Sequence, residues 1–237
     1  MTKYAYIANE LRKQILSGDY VPNQQLPLEK ELCEMFEVSK MTMKKALDIL
    51  VSEGLIIKRR GYGTFVKDLS QEEIRRLMMS RQFMGTTALY EQGAVRSKVL
   101  NFSVDNATQE VSEKLNISLE SFVYNIHRVR LINGKPLAIE QTYMPIDVIP
   151  GLKLEHINAS IYDYIESTLN ANIQSAHRKI TVNKSTDFEA EHLGLEKGDP
   201  IALVEQTGYL NTGELFEYSI STHRYDEFEV EFVLTRS

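Results

Sequence analysis

The spacing of apolar residues predicts three short helices near the start of the chain. The first ends at Gly18, the second follows Pro27, and the third begins at Ser39, whose hydroxyl can cap it, and ends at Gly54. Each helix directs one apolar stripe toward a shared core. The stripes are Ile7, Ala8, Leu11 and Ile15 in the first helix, Leu32, Met35 and Phe36 in the second, and Thr42, Ala46, Leu47, Leu50 and Val51 in the third.

The second and third predicted helices are joined by only a few residues, which indicates a helix-turn-helix. Directly after them, two apolar runs, residues 55–57 and 64–66, flank the basic turn Lys58-Arg59-Arg60-Gly61-Tyr62-Gly63. A glycine-containing turn between two apolar runs predicts a two-stranded hairpin. Residues 1–67 are therefore predicted to form a winged helix-turn-helix.

From residue 93 onward the pattern changes to β-rich segments with helices between them, and Asn133-Gly134 is a typical hairpin turn. Such an order predicts a mostly antiparallel α+β domain over residues 93–237. Residues 68–92 are predicted to be a linker, either a one-sided helix or a mobile segment. The predicted strands are 95–104, 122–132, 137–144, 176–183, 201–209, 215–222 and 227–234, and the predicted helices are 107–115, 160–169 and 187–193.

The charge distribution separates the same two parts. The chain has a net charge of −6, but residues 1–67 hold 11 Lys and Arg against 8 Asp and Glu. Within that part, residues 38–67 have a local balance of +5. A solvated basic surface is the alternative explanation. A basic stretch that coincides with a helix-turn-helix and a wing indicates a double-stranded DNA partner.

Composition argues against several other classes of protein. The 237-residue chain has no apolar run long enough to span a bilayer and no signal peptide, so we expect a cytoplasmic protein without a membrane partner. Its one cysteine, Cys33, cannot form an internal disulfide or a cysteine-based zinc site. Phosphate-loop, dinucleotide and nucleophile-elbow patterns are absent, and the histidines lack a metal-ligand motif. We therefore expect no metal and no cofactor.

Residues 4–66 resemble the DNA-binding domain of the GntR family of bacterial transcription regulators. The landmarks fall in register: LPLEKE before the second helix, SKMTMK at the start of the third, and GYG in the hairpin turn. The resemblance implies DNA contacts at those three places. The corresponding residues are Lys30, Ser39, Lys40, Thr42, Lys44, Arg60, Gly61 and Gly63.

The chain departs from the family pattern at several of these positions. Lys30, Lys40 and Lys44 stand where the family usually has arginine, and Leu28 replaces a serine that would cap the second helix. Lysine lacks the bidentate fork with which arginine reads guanine, so we expect a different operator preference. We also expect Leu28 to weaken the start of the second helix.

Two arginines in the second part suggest an anion site. Arg128 and Arg130 alternate on a predicted strand and therefore share one face, where they offer two guanidinium forks to a phosphate or carboxylate. Cross-strand salt bridges to Glu140 or Glu217 are the alternative.

Residues 94–235 resemble the UTRA effector-binding domain, and the whole chain resembles the HutC subfamily of GntR regulators. The landmarks are HRVR, LAIE, SIYDYI, HLGL and FEYS. In members that sense sugar phosphates, a threonine or serine after the linker, two strand arginines and a helix-opening serine surround the phosphate. The matching residues here are Thr86, with Thr87 as its neighbour, Arg128, Arg130 and Ser160.

The resemblance also implies contacts to the rest of the effector. Glu140 and Glu217 match positions whose carboxylates accept hydrogen bonds from sugar hydroxyls, and His223 stands where these members often have tyrosine. The family dimerises through its C-terminal domain, so we expect a homodimer on a pseudo-palindromic operator.

Together these features predict a DNA-binding transcription regulator of the bacterial nucleoid, a repressor controlled by a small anionic effector, with a phosphorylated sugar as the leading candidate. An amino acid or another carboxylate metabolite is the alternative effector. The UTRA fold is similar to that of chorismate lyase, which makes a lyase with a DNA-binding appendage the contrasting class. We do not expect the protein to be an enzyme.

Overall fold

The computed structural model describes residues 2–70, 73, 95–230 and 234. They include two compact units, with residues 2–70 in the first and residues 95–229 in the second. Most of the predicted linker, residues 68–92, lies outside the described residues. Thr86, which is predicted for the effector site, and its neighbour Thr87 also lie outside them.

The first unit is a winged helix-turn-helix, which confirms the predicted fold. Its three helices are followed by an antiparallel hairpin in which Ile56 pairs with Val66 and Arg59 with Gly63. The elements are α1 Lys3–Ser17, α2 Glu29–Met35, α3 Lys40–Ser52, β1 Ile56–Arg59 and β2 Gly63–Val66.

The predicted end of α1 is confirmed, but two of the predicted apolar stripes need correction. Gly18 ends α1 in the left-handed conformation with φ +85°. In α2, Met35 was predicted inward but is 62% exposed, because Cys33 and Phe36 flank the buried Leu32 and turn the stripe by one position. In α3 the buried positions are Met43, Ala46, Leu47 and Leu50, a regular i, i+3, i+4, i+7 pattern that leaves Thr42 and Val51 half-buried.

Polar contacts support the helices of this unit. The Leu28 side chain provides no cap for α2, as predicted, and the Glu31 carboxylate instead accepts a hydrogen bond from the Leu28 N–H at 2.7 Å. Arg12 makes a two-pronged contact with Glu53, at 2.9 and 2.5 Å, that joins α1 to the end of α3.

The second unit is a six-stranded antiparallel sheet in the order β3-β4-β5-β8-β7-β6, with helices on both faces. The strands are β3 Val95–Asn106, β4 Phe122–Ile132, β5 Lys135–Pro145, β6 Ile173–Lys184, β7 Pro200–Leu210 and β8 Leu215–Arg224. The helices are α4 Gln109–Leu115, α5 Leu154–Asn158, α6 Ile161–Asp163, which continues into a π-helical turn Tyr164–Thr168, and α7 Asp187–Leu193.

This architecture confirms the predicted antiparallel α+β domain, with two differences in its elements. Helix α5, Leu154–Asn158, was not predicted, because five residues are too few to show a helical period. The predicted strand 227–234 is wrong for residues 227–230, which form no strand. The chain turns there instead, since Arg224 pairs with Asp226 at 2.7 Å and its carbonyl accepts from the Glu227 N–H.

The sheet has one face that carries the polar cluster described below. Arg128, Glu140 and Ser219 lie on this face, which we call the front face and which α5 and α6 cover through Ile157, Ile161 and Ile165. Residues of opposite parity, such as Val129 and Ile139, lie on the back face and pack against α7, and Val123 packs against α4. The apolar packing of α5 and α6 thus sets the distance of their backbone from the front face.

We expect the replacement of Gly63 by alanine to destabilise the wing more than the same replacement of Gly61. A Cβ at Gly63, where φ is +118°, would lie 2.4 Å from Gln25 Nε2, and that amide donates to the Tyr62 carbonyl at 2.8 Å. Gly61 has φ +82° but nothing within 4 Å of a Cβ. Both alanine variants carry a backbone strain of about 1–3 kcal/mol, and Gly63→Ala also loses a hydrogen bond of about 1 kcal/mol.

This difference is measured by chemical denaturation of the full-length protein, in which the unfolding transition of the first unit is followed. Equal destabilisation by Gly61→Ala and Gly63→Ala would show that Gln25 does not hold the wing.

Candidate nucleic-acid interface and effector site

The start of α3 presents the polar residues predicted to contact DNA. Ser39 caps the helix: its Oγ accepts from the Thr42 N–H at 3.3 Å and lies 3.0 Å from the Thr42 hydroxyl. Lys40 and Lys44 are exposed on the same helix. The cap fixes the first turn of α3, from which a recognition helix reaches base edges and phosphates.

Lys58 links the wing to both helices of the helix-turn-helix. Its ammonium lies 2.8 Å from Asp48 on α3 and 3.8 Å from Glu29 on α2. Lys30 follows Glu29 directly and is exposed, with its ammonium 3.9 Å from Glu34. The structure therefore brings α2, the exposed side of α3 and the wing together, although Lys58 itself is neutralised by carboxylates.

The tip of the wing is exposed and shaped by its glycines. Arg60 and Gly61 are exposed at the turn, and the neighbouring Arg59 guanidinium instead covers the Phe65 ring at 4.8 Å. Between the two glycines Tyr62 is 77% exposed. Tyr62 and Gln25, whose side-chain amide donates to the Tyr62 carbonyl, were not predicted from the sequence. Tyr62 could have been found, because it is an aromatic residue between two turn glycines.

On the front face of the second unit, four charged side chains are buried: Arg128, Arg130, Glu140 and Glu217. Arg130 is the most enclosed, at 1% exposed. Charged residues are almost never fully buried unless they are paired. The partners of this cluster therefore determine what it can bind.

Arg128 is held by an ion pair across the sheet. It lies opposite Glu140 in the register of β4 and β5, and its Nε donates to Glu140 Oε2 at 2.8 Å. Its terminal nitrogen donates to the carbonyl of Ile157 in α5. The cross-strand salt bridge that was the alternative to an anion site is thus present for Arg128 in this structure.

Arg130 contacts the chain just before the start of α6. Its terminal nitrogen donates to Ser97 Oγ at 2.6 Å and to the Ala159 carbonyl at 3.5 Å. The pKa of Arg130 is lowered to about 10, mainly by burial and also by the neighbouring charge of Arg128, while Glu140 raises it. The Arg130 cation is therefore buried at a net electrostatic cost.

Ser160 lies at the junction that both arginines contact. It follows Ala159 directly, and its Oγ accepts from the Asp163 N–H at 3.2 Å, so it caps α6. The structure thus brings three of the predicted phosphate ligands, Arg128, Arg130 and Ser160, to the segment 157–160, which joins the end of α5 to the start of α6.

Glu217 is held by neutral donors. Ser219 Oγ donates to it at 2.5 Å, the Gln206 amide donates at 3.3 Å, and the Tyr162 hydroxyl also donates to it. Burial raises the pKa of Glu217, these hydrogen bonds lower it, and nearby Glu140 raises it. The two carboxylates predicted to meet sugar hydroxyls therefore lie close enough to influence each other.

The network continues to the edge of the sheet. On β6, Arg178 donates from two nitrogens to the Gln206 side-chain oxygen at 2.9 and 2.6 Å. The charges of this network also act on His223 on β8. Its pKa is lowered to about 4, mainly by burial and also by Arg178, while Glu140 raises it. At neutral pH His223 is thus an uncharged hydrogen-bonding group.

Several members of this network were not predicted as site residues: Ser97, Tyr162, Arg178 and Gln206. Strand alternation could have found Arg178 and Gln206, because polar residues that face each other on neighbouring strands share one face. Ser97 and Tyr162 could be placed only with the register of β3 and β4 and the path of α6.

Two surface cavities lie away from the predicted effector residues. One of about 530 Å³ is lined by residues including Val104, Phe122 and Asp147, and one of about 220 Å³ by residues including Lys98 and His192. The Arg128 guanidinium is bonded to the Glu140 carboxylate and to the Ile157 carbonyl of α5.

Within the described part of the chain, no three His, Cys, Asp or Glu side chains are grouped as metal ligands. None of the described helices has the length and apolar character needed to cross a membrane.

Comparison with known proteins agrees with both halves of the structure. Residues 3–66 match the model of bacterial regulatory proteins of the gntR family, and residues 91–229 match the UTRA domain. The HTH-type transcriptional regulator GmuR of Bacillus subtilis is 41% identical over the full length of both chains. The mannosyl-D-glycerate transport/metabolism system repressor MngR of Escherichia coli is 29% identical over 98% of this chain and 96% of its own.

A solved structure shows the same fold over the whole length. The crystal structure of the possible transcriptional regulator YydK from Bacillus subtilis covers 100% of both chains with a TM-score of 0.73 and 32% identity. Relatives of this kind are regulators and not enzymes, which confirms the functional class predicted from the sequence. The chain therefore belongs to the GntR family of bacterial regulatory proteins, as a DNA-binding transcription regulator with a UTRA domain.

Proposed function

We propose that the protein is a repressor that leaves its operator when a phosphorylated sugar binds to the front face of the UTRA domain. The observation that carries this proposal is the pair of buried arginines, Arg128 and Arg130, whose terminal nitrogens both lie at the segment that ends in Ser160. A bound phosphate would offset the cost of burying Arg130 beside Arg128 and would accept charge-assisted hydrogen bonds from both.

In our proposal the effector competes with an ion pair of the sheet. Glu140 pairs with Arg128, and a phosphate competes with that carboxylate for the guanidinium. Glu140 would then turn to the sugar, together with Glu217, whose pKa is raised by burial. A ligand that exchanges one buried ion pair for another binds the two states differently, as any effector must.

The chemistry of the remaining groups favours a sugar over a simple anion. Glu140, Glu217, Gln206 and the neutral His223 offer several hydrogen-bonding positions beside the arginines, which suits a ligand with many hydroxyls. The relative MngR is named for a mannosylated metabolite, which gives further support. A carboxylate metabolite is the second candidate, since two arginines bind carboxylate as well as phosphate.

For the DNA-binding domain we propose contacts from Lys30, Ser39, Lys40, Thr42, Lys44, Arg60, Gly61 and Gly63. The link through Lys58 supports a single surface made of α2, α3 and the wing. We further propose that the protein acts at the bacterial nucleoid as a homodimer, because one recognition helix reads only a few base pairs and a second half-site adds its binding free energy.

We expect light scattering at micromolar concentration to show a dimer, and operator titration to show two protomers per site. A monomer that binds one per operator would contradict this proposal.

We expect Lys44→Ala and Arg60→Ala to weaken operator binding by about 1–3 kcal/mol each if they contact bases. If these residues contact only phosphates, the variants would bind all DNA sequences more weakly. The slope of log affinity against log salt concentration would then become shallower by about one. Lys13→Ala is the matched control, because Lys13 is an exposed lysine on α1 that pairs with Glu10. Affinities are measured by fluorescence anisotropy on folded variants. Unchanged binding would remove Lys44 or Arg60 from the interface.

We expect Arg128→Ala to bind operator normally but to stop responding to effector, because it loses its charge-assisted bonds to the ligand. A coupling of about 1–3 kcal/mol is the usual scale of such control. The effector is first identified as the phosphorylated sugar that raises the melting temperature of the wild type. It is then titrated into the protein–operator complex.

Arg224→Ala is the control for this experiment. Arg224 is also a paired arginine on the same sheet, but it bonds Asp226 and the Leu193 carbonyl outside the cluster. If Arg128→Ala releases operator at the same effector concentration as the wild type, Arg128 serves only in its ion pair with Glu140.

A further inference from the structure

Met41 occupies an unusual position for an apolar side chain. It lies in the first turn of α3 and is 69% exposed. The buried stripe of α3 comprises Met43, Ala46, Leu47 and Leu50. At 100° per residue, Met41 points almost directly away from that stripe, to the centre of the exposed face of the helix. Packing within the first unit therefore does not account for a methionine here.

Lysines surround Met41 on this face. Lys44 and Lys45 follow it by three and four residues, which places them beside it on the helix surface, and Lys40 precedes it. Lys45 turns toward the Tyr4 ring at 5.8 Å, on the α1 side. An apolar side chain thus stands in the middle of a cationic surface that suits a phosphate backbone on either side.

The major groove offers one apolar group to such a side chain. Among the base edges exposed there, only thymine presents a methyl group, and the other positions are hydrogen-bond donors or acceptors. The first turn of a recognition helix is the part that reaches base edges. Methionine is long and flexible enough to cover a methyl group on the floor of the groove.

We propose that Met41 determines operator sequence by contacting the C5-methyl group of one thymine in each half-site. This inference rests on the proposed role of α3 in operator binding. It adds a specificity-determining residue outside the eight contacts proposed above, and a base preference that the lysines cannot provide, because a lysine ammonium bonds to acceptors on any purine.

The test begins with the full-length protein and a library of random duplexes. Repeated selection for bound duplexes yields a preferred operator. Each thymine of that operator is then replaced, one at a time, by deoxyuridine, which removes only the methyl group. Affinities are compared for the wild type, Met41→Ala and Met35→Ala. Met35 is the matched control, because it is an exposed methionine at the end of α2.

We expect one deoxyuridine position in each half-site to weaken wild-type binding about fourfold, the effect of exposing one methyl-sized apolar group. The same replacement leaves the affinity of Met41→Ala unchanged, and Met35→Ala behaves as the wild type. An operator without a sensitive thymine, or equal sensitivity in Met41→Ala, overturns the inference while operator binding stands. If selection yields no preferred duplex, the proposed operator binding itself fails, and the inference fails with it.

Discussion

The register between β4 and β5 places Arg128 directly opposite Glu140 in the interior of the protein, and the buried polar cluster of the second unit is arranged around this pair. Buried ion pairs add little to stability, because desolvation offsets most of the attraction between the charges. An apolar pair at these positions would hold the sheet together as well. Burial of charge at this place is better explained by a ligand that exchanges with one partner of the pair.

Apolar packing places the other partners of the two arginines. Helices α5 and α6 pack through Ile157, Ile161 and Ile165, and this packing brings the Ile157 and Ala159 carbonyls to the two arginines. An anion that displaces these carbonyls would move the segment ending in Ser160. Such a shift of a packed helix is a common way for a binding event to reach a distant part of a protein.

Much of the fold could be predicted from the sequence, because periodicity records which side of an element is buried. Strand β4 and helix α7 have the predicted bounds, and the cap at Ser39 forms as expected. Met35 lies in α2, which has about two turns, so a one-position rotation of its stripe leaves little trace in the sequence. Thr42 and Val51 are half-buried beside the buried stripe of α3. Only part of the polar network could be predicted from the sequence. Strand alternation places Arg128 and Arg130 on the same face, but the contact between Tyr162 and Glu217 depends on tertiary packing.

Calorimetric titration of the full-length protein with matched sugars tests the central claim most directly. Hexose 6-phosphates, the corresponding free hexoses and the corresponding uronic acids differ only in the group offered to Arg128 and Arg130. We predict that a phosphorylated sugar binds, that its free hexose does not, and that the same ligand releases a bound operator duplex. Binding of the free hexose with equal affinity, or binding of the uronic acid alone, would contradict a phosphate site at the two arginines.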